Sequence, residues 1–264
     1  MSDISYLLNG VDAQAWRVQR DSLWRPPVSA RSNLLSIPGK HGNINPGLPE
    51  FDEPQIPLVF SLRARKSQAD LETQAEALLR QLGQPDLVLT RVSGEVTASA
   101  PARLISVAHS DFLAGWHAKI TAIVGLPSVF LRGKAVESKT FPLGAAEVGS
   151  LAGSTAPIPD AVIRVSGPAT KIVVADPRYG TGLSWSGSLA AGQYLYLDAG
   201  SLRSWVSGSA SAWTPGAQAG VVDYPAGGIL QLWPDGGGKV KASVAGVGTS
   251  SATSWAVYAG KSYL

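Results

Sequence analysis

Acid–base, nucleophilic or metal chemistry needs particular side chains, and this sequence offers few of them. It has three histidines and no cysteine, which excludes thiol catalysis, disulfides and zinc–thiolate sites. His41 lies in "SIPGKHGNINPGLPEFDEP", from Ser36 to Pro54. A phosphate-cradling loop needs G-x-x-x-x-G-K-[ST] between a strand and a helix. Gly39-Lys40 lacks the second glycine at that spacing, the hydroxyl residue and the helix. "GTGLSW" fails as a dinucleotide fingerprint because Trp185 fills the last glycine position. His109 and Asp111 are two apart and share a strand face, with His117 on a neighbouring strand. A metal needs a converging ligand set, and this one is incomplete, so a solvated sheet face accounts for it better. Glu50, Asp52 and Glu53 offer oxygen to a hard cation, but acids in a Pro-rich loop are ordinarily solvated. There is no G-x-S-x-G elbow, and nothing supports a triad. The second half supplies few carboxylates for glycoside chemistry. The expectation is a protein that is not an enzyme, with no cofactor and no catalytic or metal-binding residues.

Aromatic rings are better supplied. Trp185, Trp205, Trp213, Trp233 and Trp255 fall in the second half with Tyr194 and Tyr196. Trp185, Trp205, Trp213 and Trp233 are the candidates for stacking on a glycan or touching a fibre. The competing reading is that large aromatics fill a core or an interface, and the alternating patterns around several of them favour it.

These residues need elements to hold them. The chain has 264 residues, 45% hydrophobic and 16% charged, enough for two domains with cores and little disorder. The formal charge is +3, with no basic cluster of the kind a nucleic-acid binder carries. No apolar run approaches a membrane span, and "MSDISYLLNG" has no signal-peptide pattern, so neither is expected. Composition shifts near residue 140: 9 of the 29 glycines lie before it, and the charged residues fall from 28 to 13 across it. The expected organisation is a domain over 1–140 with a Pro/Gly-rich arm at 36–54, a linker over 141–159, and a second domain over 160–264.

In the first half, "SQADLETQAEALLRQLG" predicts the one helix. Ser67 is its N-cap, Leu71, Ala75, Leu78, Leu79 and Leu82 form an apolar stripe, and Gly83 stops it. Asn9-Gly10 predicts a tight hairpin. "GWHAKITAIVGL" alternates, with Trp116, Ala118, Ile120, Ala122 and Val124 on one side. The second half shows strand patterns only: "DAVIRVSG", "TKIVVADP", "TGLSWSGSL", "GQYLYLDA", "LRSWVSG", "GGILQLWPD", "KVKASVAG" and "TSWAVYAGKSYL". Their number and turn signals predict a β-sandwich.

The order of the N-terminal hairpin, "SIPGKHGN", the helix "QADLETQAEALLRQL" and "WHAKITAIVGLPSVFLRG" resembles the distal tail proteins of long-tailed (siphovirus) bacteriophages. The second half extends the resemblance: a strand pair is followed by G-x-x-L-x-L-D, matched by Gly192, Leu195, Leu197 and Asp198, and then by "PAGGILQLWPD". The resemblance implies a mainly β protein with one helix. Its N-terminal, β-barrel-like α+β domain would form a ring, usually a hexamer, at the distal end of the tail tube. A galectin-like β-sandwich would follow at the C-terminus. The implied partners are copies of the chain, the tail tube protein, and hub or fibre proteins of the tail tip. The tape-measure protein and DNA would pass through the lumen, nothing would insert in a membrane, and the location would be the virion tail tip. The resemblance also implies subunit contacts at Ile37, Pro38, Gly39, His41 and Gly42. The alternative function is a carbohydrate-binding module that contacts the host wall.

Overall fold

The computed structural model describes residues 4–19, 22, 28–31, 35–36, 43–44, 48–64, 67–113, 116–246 and 252–264. The chain divides into two compact units, Met1–Gly133 with Leu264, and Lys134–Tyr263.

In the first unit, β1 (Ile4–Leu8) turns through Asn9 and Gly10 into β2 (Val11–Asp12). Both turn residues have positive φ, 49° and 81°, the pairing that Asn-Gly provides at least cost. Four short strands follow, β3 (Ala30–Arg31), β4 (Leu35–Ser36), β5 (Asn43–Ile44) and β6 (Glu50–Phe51). Next come β7 (Gln55–Arg63), the helix α1 (Gln68–Leu82), β8 (Val88–Ser93), β9 (Val96–Pro101), β10 (Arg103–Leu113), β11 (His117–Gly125) and β12 (Leu131–Gly133). One sheet runs β2-β1-β8-β9-β12 and another β10-β11-β7.

Helix α1 has the predicted boundaries. Ser67 accepts from the Asp70 N–H, and the Gly83 N–H closes on the Leu79 carbonyl. Leu71, Leu78 and Leu82 are buried, while Ala75 and Leu79 are half-buried. The Gln81 amide donates to the Leu8 carbonyl at 2.9 Å, tying helix to β1. Ala118, Ile120, Ala122 and Val124 are buried with Ile56, Leu58, Phe60 and Leu62 of β7. Trp116 departs from the expected pattern. It precedes β11 and is 59% exposed.

The second unit begins with β13 (Val136–Glu137), β14 (Phe141–Pro142) and β15 (Gly144–Glu147). The strands that follow are β16 (Val162–Ser166), β17 (Ala169–Ala175), β18 (Gly182–Leu189), β19 (Tyr194–Asp198), β20 (Arg203–Ser207) and β21 (Val221–Asp223). The last are β22 (Lys241–Gly246), β23 (Ser254–Ala259) and β24 (Ser262–Tyr263). Two sheets, β13-β23-β16-β19-β20 and β15-β22-β17-β18-β21, face each other as a sandwich over a core that includes Ile163, Val165, Ile172, Val174, Trp185, Leu195, Leu197, Trp255 and Val257.

Two expectations need correction here. The segment 141–159 is not a linker. β14 pairs with β23, β15 pairs with β22, and Phe141, Val148, Leu151 and Ile158 belong to the core. Small residues there made the segment look loose, but its large apolar side chains are drawn inside, while Glu147 stays exposed and pairs with Lys239. "GGILQLWPD" forms no strand. It makes single bridges, Gly182↔Ile229 and Ile158↔Leu232, while burying Leu230 and Leu232.

Candidate functional site

Among the described residues, the segment predicted as an arm and its N-terminal flank form two short antiparallel pairs, together called the ribbon. At its base β3 pairs with β6, and farther out β4 pairs with β5. Ile37, Pro38, Gly39, His41 and Gly42 lie between β4 and β5 and fall outside the described residues. The base is fixed to the body of the unit. Arg31 forms an ion pair with Asp52 across the two legs. The Phe51 ring meets Phe130 edge-on at 5.4 Å. Glu53 receives both the Nε and an Nη of Arg103 on β10, at 2.9 and 2.6 Å. That hydrogen-bonded pairing holds the Glu53 carboxyl below its ordinary pKa of 4.5. Gly125 makes room for it, since a Cβ there would sit 2.3 Å from Glu53 Oε1. The acids considered for a hard cation are thus used differently: Asp52 and Glu53 are ion-paired, and Glu50 is exposed in the ribbon.

Strand β10 has 11 residues, and β11 is its only strand neighbour among the described residues. Ile105 is 41% exposed, and Ala108 and His109 are exposed too. A long, open, partly apolar edge is a template for pairing with another chain. The histidines form no metal centre among the described residues. His117 Nε2 is 2.7 Å from the Ser61 hydroxyl on the adjacent strand, and His109 stands on the edge strand opposite Ile120.

The four tryptophans separate. Trp185 is 1% exposed and in the sandwich core, where its indole N–H donates to the Ala219 carbonyl at 2.7 Å. Trp205 is 2% exposed. Neither reaches an external glycan or fibre, because burying so large an apolar area outweighs presenting it. Trp233 is half-buried against Tyr179, with ring centroids 5.7 Å apart. Its backbone N–H binds the wholly buried carboxylate of Asp176, which Arg178 neutralises at 3.0 Å.

Trp213 belongs to a feature with no counterpart in the sequence patterns. Residues 208–220 form a strap across the outer face of β16, β19 and β20. Beneath it Tyr196 and Trp205 stack at 5.3 Å, almost parallel, buried but outside the sandwich core. Side chains of the sheet hold the strap's backbone. Tyr196 Oη donates to the Ser209 carbonyl at 2.6 Å and accepts from the Ala212 N–H at 3.1 Å. Arg164 donates to the Ala210 carbonyl, and Trp205 Nε1 donates to the Ala212 carbonyl at 2.8 Å. Farther along, the Ala219 N–H pairs with the Ser204 carbonyl at 2.9 Å, and the Ser204 N–H donates to Gln218 Oε1 at 3.1 Å. The strap therefore covers the free edge of β20, a recognised way of blunting an edge strand. Burial raises the pKa of the Tyr196 phenol above 10.0, so it stays protonated as a donor.

No protein-family model matches the sequence, nor does any curated protein. The fold does match solved structures. SPP1 Dit, a paradigm of the hub adsorption apparatus in phages that infect Gram-positive bacteria, aligns with a TM-score of 0.64 at 14% identity. The alignment covers 99% of this chain and 100% of that one. The phage P2 baseplate in its activated conformation with Ca aligns at a TM-score of 0.42 and 10% identity, covering 97% of this chain and 98% of that one, which is too distant to carry an argument. The chain has the fold of SPP1 Dit, mainly β with one helix and a galectin-like sandwich, as the resemblance to distal tail proteins implied.

Proposed function

We propose that the chain is a structural protein of a phage tail tip: a distal adaptor that closes into a ring, hexameric by expectation, and joins tail tube to tip. It acts by assembly, not catalysis. The observation that carries this reading is the likeness to SPP1 Dit, which runs through both units and leaves almost none of either chain unmatched. A fold hosts many functions, so the second support must be a surface suited to assembly. Strand β10 provides one, long, open and exposing Ile105. The paired strands β3–β6 and β4–β5 provide another, locked at Glu53–Arg103. In this reading Ile37, Pro38, Gly39, His41 and Gly42, which lie between β4 and β5 in the sequence, pack on a neighbouring subunit. The tail tube protein and the hub or fibre proteins bind the two faces of the ring, and tape-measure protein and DNA pass through its lumen. A near-neutral chain suits such a conduit, since each neutralised phosphate adds affinity and would retard DNA.

The test is the assembly state. Negative-stain images and native mass of the purified protein, or of the tail tip containing it, should give closed rings with one stoichiometry. A chain that stays monomeric in both settings refutes the reading.

A further inference from the structure

In a sandwich one face of each sheet packs on the core and the other meets water. The register aligns Arg164 with Tyr196 and Tyr196 with Trp205, and Val162 with Tyr258, so these residues share the outer face of their sheet. That face carries an aromatic cluster the core does not require. At its edge Trp213 stacks on Tyr258 at 5.1 Å and 20° and meets Tyr196 edge-on at 5.2 Å. The Arg164 guanidinium is 5.2 Å from the Trp213 ring and 5.5 Å from the Tyr194 ring. Glu137 joins the group. One carboxylate oxygen binds Arg164 at 2.7 Å, and the other accepts the Trp213 indole N–H at 3.2 Å. Trp213, Tyr258 and Tyr194 are each half-buried, and Glu137 beside them is exposed.

We propose that Trp213, Tyr258 and Tyr194 form a stacking shelf for a neutral sugar ring, with Glu137 accepting from its hydroxyls. Three properties select this ligand. The first is shape: the Trp213–Tyr258 stack and Tyr194 are half-buried aromatic side chains, and an aromatic ring with a face left open offers the π surface on which the C–H face of a pyranose lies. The second is preorganisation. Trp213 is held by two rings, a cation and a hydrogen bond, on a strap fixed on both sides, so little freedom remains to be lost on binding. The third is charge. Arg164 already balances Glu137, and residues 204–222 contain no Asp, Glu, Lys or Arg. An anionic polymer finds no free cation in the strap, whereas a hydroxyl finds a carboxylate with lone pairs to spare. Trp185 and Trp205 drop out as contacts because they are buried. The shelf lies wholly in the second unit and goes beyond the adaptor reading.

Ligand-observed saturation-transfer NMR on the full chain tests it, with soluble neutral oligosaccharides of hexose, deoxyhexose and N-acetylhexosamine as probes and a polyphosphodiester as the anionic comparison. At least one neutral sugar should receive saturation at its ring C–H protons, and the polyphosphodiester should not. Tyr258→Ala and Tyr194→Ala should each weaken that binding about ten-fold, Tyr258→Phe should restore it, and Trp116→Ala should leave it unchanged. Where one alanine variant fails to fold, the other carries the comparison. Ring assembly measured on the same samples keeps this outcome separate from the adaptor reading. Absence of saturation for every neutral sugar, preference for the polyphosphodiester, or full binding by the folded alanine variants would overturn the proposal.

Discussion

Glu53 and Arg103 are far apart in sequence, yet they anchor the ribbon. Because the folded Glu53 carboxyl titrates below its ordinary value, the anchor is in force above the usual carboxylate range and is lost as pH falls through that lowered pKa. Carboxyl-detected NMR should give Glu53 a midpoint below 4.5, and Arg103→Gln should return it to the ordinary range. Tyr196 poses a different test. Its hydroxyl serves two strap groups, so Tyr196→Phe should destabilise the protein by about 1–2 kcal/mol in urea unfolding and speed amide exchange across 208–220. Little of this was legible beforehand. Trp205 was a candidate contact set against a place in a core or interface, and it is buried. The arrangement of Glu137, Arg164, Trp213 and Tyr258 was not readable, because its members are spread over 122 positions and only sheet register brings them together.

At the scale of elements, the helix was the clearest signal. A capping serine, a periodic leucine stripe and a terminal glycine all agree, and such agreement is what makes a segment predictable. Leu78 is wholly buried on that stripe. Leu78→Ala should cost about 2–4 kcal/mol, read as a lower denaturant midpoint with unchanged slope. The ribbon was legible only in part. Its glycines and prolines marked an excursion, but two-residue strands carry no alternation to read. The segment 141–159 misled for a related reason. Its turn-forming residues are real, yet Phe141 and Leu151 decide where it goes. The strap was invisible because its order comes from donors on the sheet beneath it and not from its own sequence.

For the whole molecule, composition marks a charged, helix-bearing part and a glycine-rich, strand-patterned part with a shift near residue 140, and the two compact units divide at Gly133 and Lys134. Assembly, as proposed, depends on the open edge of β10. Charges placed there should therefore stop it without unfolding the chain: Ile105→Lys with Ala108→Lys should yield folded monomers by sedimentation, with the thermal transition nearly unchanged. Rings that survive both lysines would remove β10 from the contact. A last consequence concerns tension. Strand β11 is paired with β7 without a break along the nine residues of each, and it holds β10 on its other side. Pulled along the strands, such a sheet loads its cross-strand hydrogen bonds together, whereas a hairpin peeled from one end yields bond by bond. The first unit is built like a tie bar, resisting lengthwise shear far better than peeling, and single-molecule pulling in the two directions would measure that difference.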